Sequence, residues 1–417
     1  MKTINKAYKF RLYPSDTDIE FLNQCFGCTR FLYNYFLNFR SESYKKHQLK
    51  IKYKDTSERL TKMKKMDSFS WLKDVPSIPL QQSLRHLEDA FQRFYNKQTK
   101  YPQFKKRNGK QSATFLVSGN TKIDGSNIVI SQYSKKFVIP FLKHRDFNAD
   151  NVSRFIVSKT PSGEYYVSVL TQETIQELPK NNKIIGVDLG LTDYLIDDSN
   201  NKTLPLKPLN QSLKKLRKLN KSLSRKEKNS NNYKKAKFKL SKLHNKIANQ
   251  RKDFLHKLSF KLISENQVIG LETLKVKNMI KNKRLSRHIA DAGWGMFVDF
   301  LSYKSEWYGR SIIKNDTYFA SSKLCHKCGH KNDNLKLSDR KWTCEGCHTI
   351  HDRDHNAAIN IKQESEKKIA TDKDLKHLLS LLEHNDVKDC GEVISQKKSL
   401  LQTSMKQDAH SKSTDLV

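Results

Sequence analysis

The sequence predicts a multidomain α+β protein, and three observations support this fold class. A chain of 417 residues is too long for one ordinary hydrophobic core, so two to four modules are expected. Short β-rich segments separated by Gly, Asn and Pro fill the region from Tyr101 to about Leu178 and predict a small barrel or sandwich. Two very apolar strands, IIGVDLG and QVIGLETL, alternate with helical segments further along the chain.

The N-terminal region is expected to begin with a strand and to continue as helices. Residues Ile4–Pro14, INKAYKFRLYP, alternate polar and apolar side chains and predict a strand that ends at its proline. Ser15 predicts a helix N-cap, and the acids in the next turn suit the positive end of the helix dipole. A second helix is predicted after Pro79, because apolar residues recur there at helical spacing.

A Lys-rich pair of helices, broken at KEKNSNNY, is predicted between Leu213 and Ile263. Apolar residues form a seam on each helix, the first from Leu216 to Leu223 and the second from Phe238 to Ile247. Two interpretations are open at this point. The pair is a charged coiled-coil hairpin that packs only on itself, or its outer lysines contact a nucleic-acid backbone, which their number favours.

The charge balance predicts a polyanionic partner. Lys and Arg number 79 against 43 Asp and Glu, a formal net charge of +36. Charge alone does not separate DNA, RNA and anionic membrane, but it predicts binding that weakens steeply with salt. No stretch approaches the roughly 20 apolar residues of a spanning helix, and no export signal is visible. Seven cysteines without an export signal indicate reduced thiols and metal binding, so a cytoplasmic location is expected.

Four of the cysteines have the spacing of a zinc ribbon. The pairs Cys325-x-x-Cys328 and Cys344-x-x-Cys347 predict two knuckles that close a tetrahedron around one Zn²⁺. Four thiolates leave no open coordination position, so the predicted role of this ion is structural. Three histidines are possible substitute ligands, and the glycines of the motif suit tight turns: His326, His330, His348, Gly329 and Gly346. The similar Cys25-x-x-Cys28 lies in a helical pattern without a second pair, which indicates buried helix cysteines.

Three acids are candidates for a second metal site. Asp188 and Glu272 end the two apolar strands, and Asp354 lies in the first turn of the helix that HDRDHNAAINI begins. Taken singly, each has an ordinary structural explanation as a turn, a strand-end cap or a helix N-cap. Together they predict a pocket in which oxygen ligands hold two Mg²⁺ ions, as in phosphodiester hydrolysis. Without a cation, such a cluster should raise the pKa of at least one carboxyl group.

Several motifs resemble the TnpB (OrfB) nucleases of insertion sequences, which are relatives of type V CRISPR effectors. VDLG, IGLE and DRDHNAAINI are similar to the three RuvC motifs of that family. YKFRLYP and FGCTRFLYN resemble its N-terminal start, LRHLEDAFQRFYNKQTKYPQFKKR its recognition-lobe exit, and CHKCG with DRKWTCEGCHTIHDRD its zinc insertion. The resemblance covers most of the chain. It departs from the family at NDTYFASSKLC and in the C-terminal tail, neither of which touches the three acids.

The resemblance implies an RNase H-like RuvC nuclease domain with a zinc-ribbon insertion, and an N-terminal β-barrel, the wedge, with an inserted helical recognition lobe. Asp188, Glu272 and Asp354 would be the catalytic, Mg²⁺-binding triad, with Asp188 bridging both ions. Asp352 is the rival for the third position, and Asp354 is preferred because the family pattern is Asp-x-Asn-Ala-Ala. The implied domains are the wedge (1–14 and 101–180), the recognition lobe (15–100), the RuvC domain (181–318 and 349–370), the zinc ribbon (319–348) and a partly disordered tail (371–417).

The function implied by the resemblance is an RNA-guided DNA endonuclease. A guide RNA from the transposon end would pair with one strand of double-stranded target DNA beside a short adjacent motif, while neither a membrane nor a small-molecule substrate is expected. One alternative is a guided DNA-binding repressor without cleavage, whose mark would be a missing acid, and none is missing. Another is a transposase that joins DNA ends without RNA, because RNase H-like cores support that chemistry too.

Overall fold

The chain folds into two compact units. The computed structural model describes residues 2–133, 135–336 and 338–372, together with Leu375 and Leu378. The first unit comprises residues 2–175 and Lys214–Lys246, and the second comprises Gln176–Leu213 and the described residues from Ile247 onward. The predicted multidomain α+β class is confirmed. Most of the predicted tail lies outside the described residues, and within them no helix is both long and apolar enough to span a bilayer.

One seven-stranded antiparallel sheet forms the β part of the first unit. Its strands are β1 (Lys2–Leu12), β2 (Gln111–Leu116), β3 (Thr121–Asp124), β4 (Asn127–Gln132), β5 (Lys135–Leu142), β6 (Val152–Lys159) and β7 (Tyr165–Ile175). They are hydrogen-bonded in the order β2-β6-β7-β1-β5-β4-β3. The N-terminal strand therefore lies in the centre and pairs with β7 along its whole length. Its alternation buries Tyr8, Phe10 and Leu12, as the sequence pattern predicts.

Helices cover this sheet and share its core. They are α1 (Asp16–His47), α2 (Tyr53–Met63), a 3₁₀ helix (Asp67–Asp74) and α3 (Ser77–Tyr95). Ser15 caps α1 as predicted, because its hydroxyl accepts from the Asp18 N–H and its own N–H donates to the Asp18 carboxylate. The stacked rings of Phe21 and Phe137, 3.8 Å apart, join α1 to the sheet. Cys25 and Cys28 are buried on α1 as expected, and burial raises the pKa of both thiols, that of Cys28 to about 11.

The Lys-rich helices are α4 (Pro208–Ser224) and α5 (Asn231–Glu265). Residues 214–246 of this hairpin, which the sequence places in the 181–318 domain, group with the first unit. They are held there by polar contacts to the turn between β6 and β7, because Asn245 donates to Glu164 and Ser241 donates to the Pro161 carbonyl. Leu216, Leu243 and Ile247 are buried, but Phe238 is 41% exposed, so the predicted seam is wrong at that residue.

A five-stranded sheet forms the centre of the second unit. Its strands are β8 (Ile184–Asp188), β9 (Leu195–Asp197), β10 (Lys202–Thr203), β11 (Val268–Glu272) and β12 (Ser311–Asn315), in the order β10-β9-β8-β11-β12. Strands β8, β11 and β12 are parallel, while β9 and β10 are antiparallel to their neighbours. Further helices of this unit are α6 (Val276–Met279), α7 (Ser286–Ala292), α8 (Trp294–Tyr308) and α9 (Arg353–Thr371), and the part of α5 from Ile247 onward packs in the same core.

Helix α9 packs directly on strand β8, and Gly186 is the residue that permits this approach. A Cβ atom at Gly186 would meet the Ala358 carbonyl oxygen and would lie 2.6 Å from the Lys362 backbone nitrogen. Both obstacles are backbone atoms of a buried helix, so they cannot move aside as a flexible side chain would. The position of α9 relative to the sheet therefore depends on the missing side chain.

We expect Gly186→Ala to lower the free energy of unfolding by about 1–3 kcal/mol, the usual cost of overpacking. Thermal denaturation measures this as a fall of several degrees in the midpoint. Gly295→Ala is the matched control, because Gly295 lies in α8 with nothing within 4 Å of an added Cβ. That change should leave stability unchanged or raise it by up to about 1 kcal/mol. Equal midpoints for the two variants would contradict the packing argument.

Candidate metal centres

Two of the predicted acids lie side by side at one edge of the second sheet. Asp188 is the last residue of β8 and Glu272 is the last residue of β11. These strands are parallel neighbours whose register pairs Val187 with Leu271, so the two acids follow at equivalent positions. The loop before the cysteine motif also reaches this edge, where the Ser321 hydroxyl donates to the Glu272 carboxylate.

The third acid comes from the first turn of α9. Asp352 is the N-cap of this helix, because its carboxylate accepts from the N–H groups of Asp354, at 3.1 Å, and His355, at 3.2 Å. Asp352 also forms an ion pair with Lys202 at 3.2 Å. Asp352, the other candidate for the third acid, is therefore the N-cap of α9. The Asp354 carboxylate instead contacts two arginine side chains.

The electrostatics of the three acids are coupled. The pKa of Asp188 is raised to about 8, first by burial and then by the charges of Glu272 and Asp354. The pKa of Glu272 is also raised by burial, against the opposing hydrogen bond from Ser321. The predicted elevation of a carboxyl pKa in the cluster is confirmed, and burial contributes more to it than the repulsion on which the prediction was based. A nearby cation would remove this penalty, and the all-oxygen donor set suits Mg²⁺.

Two guanidinium groups hold Asp354. Arg340 Nη1 lies 2.8 Å from one carboxylate oxygen of Asp354, and Arg353 Nη2 lies 2.9 Å from the other. Arg340 also donates to the Thr192 hydroxyl at 3.1 Å. The triad is close enough for its charges to interact, but its ligand atoms are more widely spaced than those of the cysteines. Within the described ranges, only the cysteines bring three or more candidate ligand atoms within 4.8 Å of one another.

The four predicted cysteines form this closer cluster. The sulfurs of Cys325 and Cys347 are 3.5 Å apart, as are those of Cys328 and Cys344. All four lie within 4.8 Å of one another, a spacing that fits the corners of a thiolate tetrahedron around Zn²⁺. The histidines proposed as substitute ligands are not part of the cluster.

Backbone geometry explains the two knuckles. In the first, Gly329 has a φ of +75° and its N–H donates to the Cys325 carbonyl. In the second, the left-handed residue is His348, with a φ of +56°, and not Gly346. Gly346 has another function, because a Cβ there would crowd the His330 side chain at 3.2 Å.

Sequence analysis missed one neighbour of the cysteines. The buried His351 places its Nε2 atom 3.1 Å from the Cys325 sulfur, within hydrogen-bonding distance of this ligand atom. It lies on β14 (Ile350–Asp352), which pairs with β13 (Lys341–Thr343). One sequence feature could have indicated His351: it lies in a strand four residues after the last cysteine, where alternation turns its side chain inward.

Asn356 ties the cysteine cluster to the helix that carries Asp354. Its side-chain oxygen accepts from the His326 backbone N–H at 3.1 Å, and its amide donates to the Leu324 carbonyl at 2.7 Å. Asn360, one turn further, donates to the same carbonyl and to that of Ser321. The first knuckle is therefore bonded to α9 immediately next to Asp354.

We expect Asn356→Ala to lower the unfolding free energy of the second unit by about 1–3 kcal/mol, because the His326 backbone N–H loses its acceptor while the Leu324 carbonyl keeps the Asn360 amide. Thermal denaturation should show a midpoint several degrees lower. Metal analysis should still find one bound zinc, since no thiolate has changed. Zinc loss in this variant would show that Asn356 supports the cluster itself and not only its connection to α9.

Family models match separate segments of the chain. The OrfB family model, described as "Probable transposase", matches residues 166–283, and a "Cas12f1-like, TNB domain" model matches residues 294–361. A model described as "Helix-turn-helix domain" matches residues 1–48. In this structure those residues form strand β1 and the single long helix α1.

Two relatives align along most of their length. A "Putative RNA-guided DNA endonuclease" of Streptomyces pristinaespiralis is 37% identical over 362 residues, covering 87% of this chain and 89% of the relative. "Putative RNA-guided DNA endonuclease InsQ" of Escherichia coli K12 is 31% identical over 377 residues, covering 85% and 91%. A solved Cas12f1-sgRNA-target DNA complex has a similar fold, with a TM-score of 0.58 at 13% identity, covering 86% of this chain and 99% of the Cas12f1 chain.

Proposed function

The chain belongs to the TnpB (OrfB) family, and from this premise we propose that it is a transposon-associated RNA-guided DNA endonuclease. It would cleave double-stranded DNA next to a short adjacent motif, by two-metal hydrolysis of phosphodiester bonds. The observation that carries the proposal is the convergence of three acids far apart in sequence. Asp188 and Glu272 end neighbouring parallel strands, and the charges of Glu272 and Asp354 both raise the pKa of Asp188.

The second unit would be an RNase H-like RuvC domain. Its strand order supports this, because antiparallel strands lie on one side of β8 and parallel strands on the other. Both strand-end acids belong to the central parallel pair, and α9 packs on the same strands with Asp354 at its N-terminal end. The zinc ribbon would be inserted between β12 and α9, where its first knuckle is bonded to the catalytic helix through Asn356.

In the proposed mechanism, Asp188, Glu272 and Asp354 would hold two Mg²⁺ ions. The chemistry these ions would supply is activation of a water molecule and stabilisation of the leaving oxygen of the phosphodiester. Ser321 orients the Glu272 carboxylate by donating to it. Arg340 and Arg353 hold Asp354 and supply positive charge beside the place where the phosphate would lie. The Zn²⁺ would be structural, because its four thiolates leave no position for water.

The partners of this chain would be a guide RNA from the transposon end and double-stranded target DNA. Pairing between guide and target would select the sequence, so the protein needs many backbone contacts and few base contacts. The net charge of +36 suits that division. The seven-stranded sheet would be the wedge, and the helices of residues 15–100 the recognition lobe.

Purification with its RNA tests the proposal. Sequencing of the co-purified RNA should identify one discrete transcript from the end of the element that encodes the protein. The complex, with Mg²⁺, should then cleave DNA that matches the guide and leave mismatched DNA intact. Cleavage without RNA, or a random mixture of bound RNA, would contradict the proposal.

One observation favours a second candidate function, since the matching OrfB model is described as a probable transposase. A transposase would join DNA ends through the same acids without a guide. Incubating the RNA-free protein with transposon ends and Mg²⁺ separates the two functions. Joined products would support the transposase, and their absence together with guided cleavage would support the nuclease.

A further inference from the structure

A large cleft in the first unit is lined by cations and lies apart from both metal centres. We name it the cationic cleft and define it by Arg30, Arg107, Lys159, Lys234, Lys237 and Phe238. Its volume is about 1020 Å³, and its walls come from α1, the segment before β2, the β6–β7 turn and the start of α5. All of these residues belong to the first unit, whereas the acids and the cysteines belong to the second.

The charge of the cationic cleft is uncompensated. Its lining contains five Lys or Arg residues and no Asp or Glu. The whole chain has 43 acids for 79 basic residues, so five cations would ordinarily be accompanied by two or three acids. Arg30 donates to the Gln111 side chain at 2.8 Å and Lys159 to the Asn23 side chain at 3.2 Å. These amide partners orient the cations without neutralising them, which favours an anionic ligand.

An aromatic ring lies beside these cations. Phe238 was expected in the seam of the hairpin, but 41% of its surface is exposed at the cleft. Its position is set by Gly163, which has a φ of +73° and where a Cβ atom would lie only 2.9 Å from the ring. Contacts from Ser241 and Asn245 fix this part of α5 to the β6–β7 turn. An exposed ring held among cations suits stacking on an unpaired base.

We propose that the cationic cleft binds an unpaired nucleic-acid strand, with its cations on the phosphates and Phe238 stacked on a base. Single-strand sites in proteins combine a positive groove with an aromatic platform in this way. The strand is either part of a guide RNA or a DNA strand. The site is independent of the acids, so nuclease activity and strand binding can fail separately.

The test compares two variants of the full-length, RNA-free protein by fluorescence anisotropy with labelled oligouridine, without added Mg²⁺. The cleft variant carries Arg107→Gln, Lys234→Gln and Lys237→Gln. The matched control carries Lys214→Gln, Lys215→Gln and Lys218→Gln, three exposed residues of α4 outside the cleft. Equal circular dichroism spectra and melting midpoints establish that both variants fold.

The cleft variant should bind oligouridine about tenfold more weakly, and the slope of log affinity against log salt should fall by about two, for three lost phosphate contacts. The control should change less than about threefold, because distant charges are screened. Equal losses in the two variants would overturn the proposal, since net charge and not the cleft would then govern binding.

Phe238→Ala separates stacking from charge. It should weaken oligouridine binding by about tenfold and leave binding of an abasic strand of equal length unchanged. An equal loss on both probes would overturn the stacking assignment. Competition by oligo-deoxyuridine identifies the source of the strand, because tighter RNA binding indicates the guide and tighter DNA binding indicates a target strand. A duplex that competes as well as either strand would overturn the proposal.

Discussion

Asp188→Asn is expected to lower the rate of DNA cleavage by about a thousandfold or more while leaving guide-dependent DNA binding intact. A metal-ligand set supplies several kcal/mol of transition-state stabilisation, and each 1.4 kcal/mol is worth about tenfold in rate. Asp188 lies at the end of a buried strand and interacts with both other acids, so its substitution is expected to lower the cleavage rate the most. Cleavage of matched DNA by the guide complex measures the rate, and a gel-shift assay measures binding.

Melting of the same variant gives a readout that does not depend on activity. Mg²⁺ at about 100 times its dissociation constant should stabilise the parent by about 2.7 kcal/mol, which corresponds to several degrees. The variant should lose this gain. In the absence of Mg²⁺ and near neutral pH it should melt no lower than the parent, because asparagine removes the free-energy cost of protonating the buried Asp188 carboxyl group or of keeping it charged. If Mg²⁺ raised the melting midpoint of the variant as much as that of the parent, Asp188 would not be a metal ligand.

Asp352→Asn is the matched control, because it changes the rival acid two residues before Asp354. Asparagine caps helices as well as aspartate does, so the first turn of α9 should remain. The lost ion pair with Lys202 is partly exposed and is worth at most about 1 kcal/mol, or about fivefold in rate. If Asp352→Asn cleaved DNA as slowly as Asp188→Asn, Asp352 and not Asp354 would be the third catalytic acid.

Removal of zinc is expected to lower cleavage by at least about tenfold, although the cysteine cluster is separate from the proposed catalytic acids. Structural zinc supplies much of the folding free energy of a ribbon, so its loss should unfold the segment around the cysteines. The first knuckle is bonded to α9 through Asn356, and Ser321 before it is bonded to Glu272. Disorder of the ribbon would therefore displace two of the three acids.

Cys344→Ser tests this expectation together with metal analysis. The buried Cys344 is one corner of the cluster, and its replacement should abolish stoichiometric zinc. Cys28→Ala is the control, because this buried thiol of α1 belongs to the first unit and should leave one zinc bound. Zinc added back after chelation should restore cleavage by the parent protein but not by the Cys344→Ser variant. Full cleavage without zinc would show that the ribbon does not position the acids.

Features that depend on short sequence intervals were predicted well. The cysteine pairs are three residues apart, so their knuckles follow from local turns, and the structure brings all four sulfurs together. The alternation of β1, the Ser15 cap and the buried Cys25 and Cys28 are likewise set within one element. Periodicity also predicted the two apolar strands and their terminal acids, because strands buried on both faces are continuously apolar.

Three features that depend on distant contacts were not predicted. Phe238 has the spacing of a seam residue, but the β6–β7 turn and Gly163 place its ring at the cationic cleft. His351 lies in a short strand after the last cysteine, but only the cross-strand pairing of β13 and β14 shows that it reaches Cys325. Asn356 is part of a recognised motif, yet only the folded chain shows that it binds the ribbon.

From residue order alone, the chemistry of this protein was accessible: four thiolates at ribbon spacing, three acids at the ends of buried elements, and a large excess of positive charge. Tertiary structure was needed to decide which residues share a site. Asp352 and Asp354 are two positions apart, and helix capping separates their roles because only the N-cap side chain can accept from the free N–H groups of the first turn. The coupling of acids 84 and 166 residues from Asp188, at positions 272 and 354, follows from parallel pairing of β8 with β11 and from the packing of α9 at Gly186.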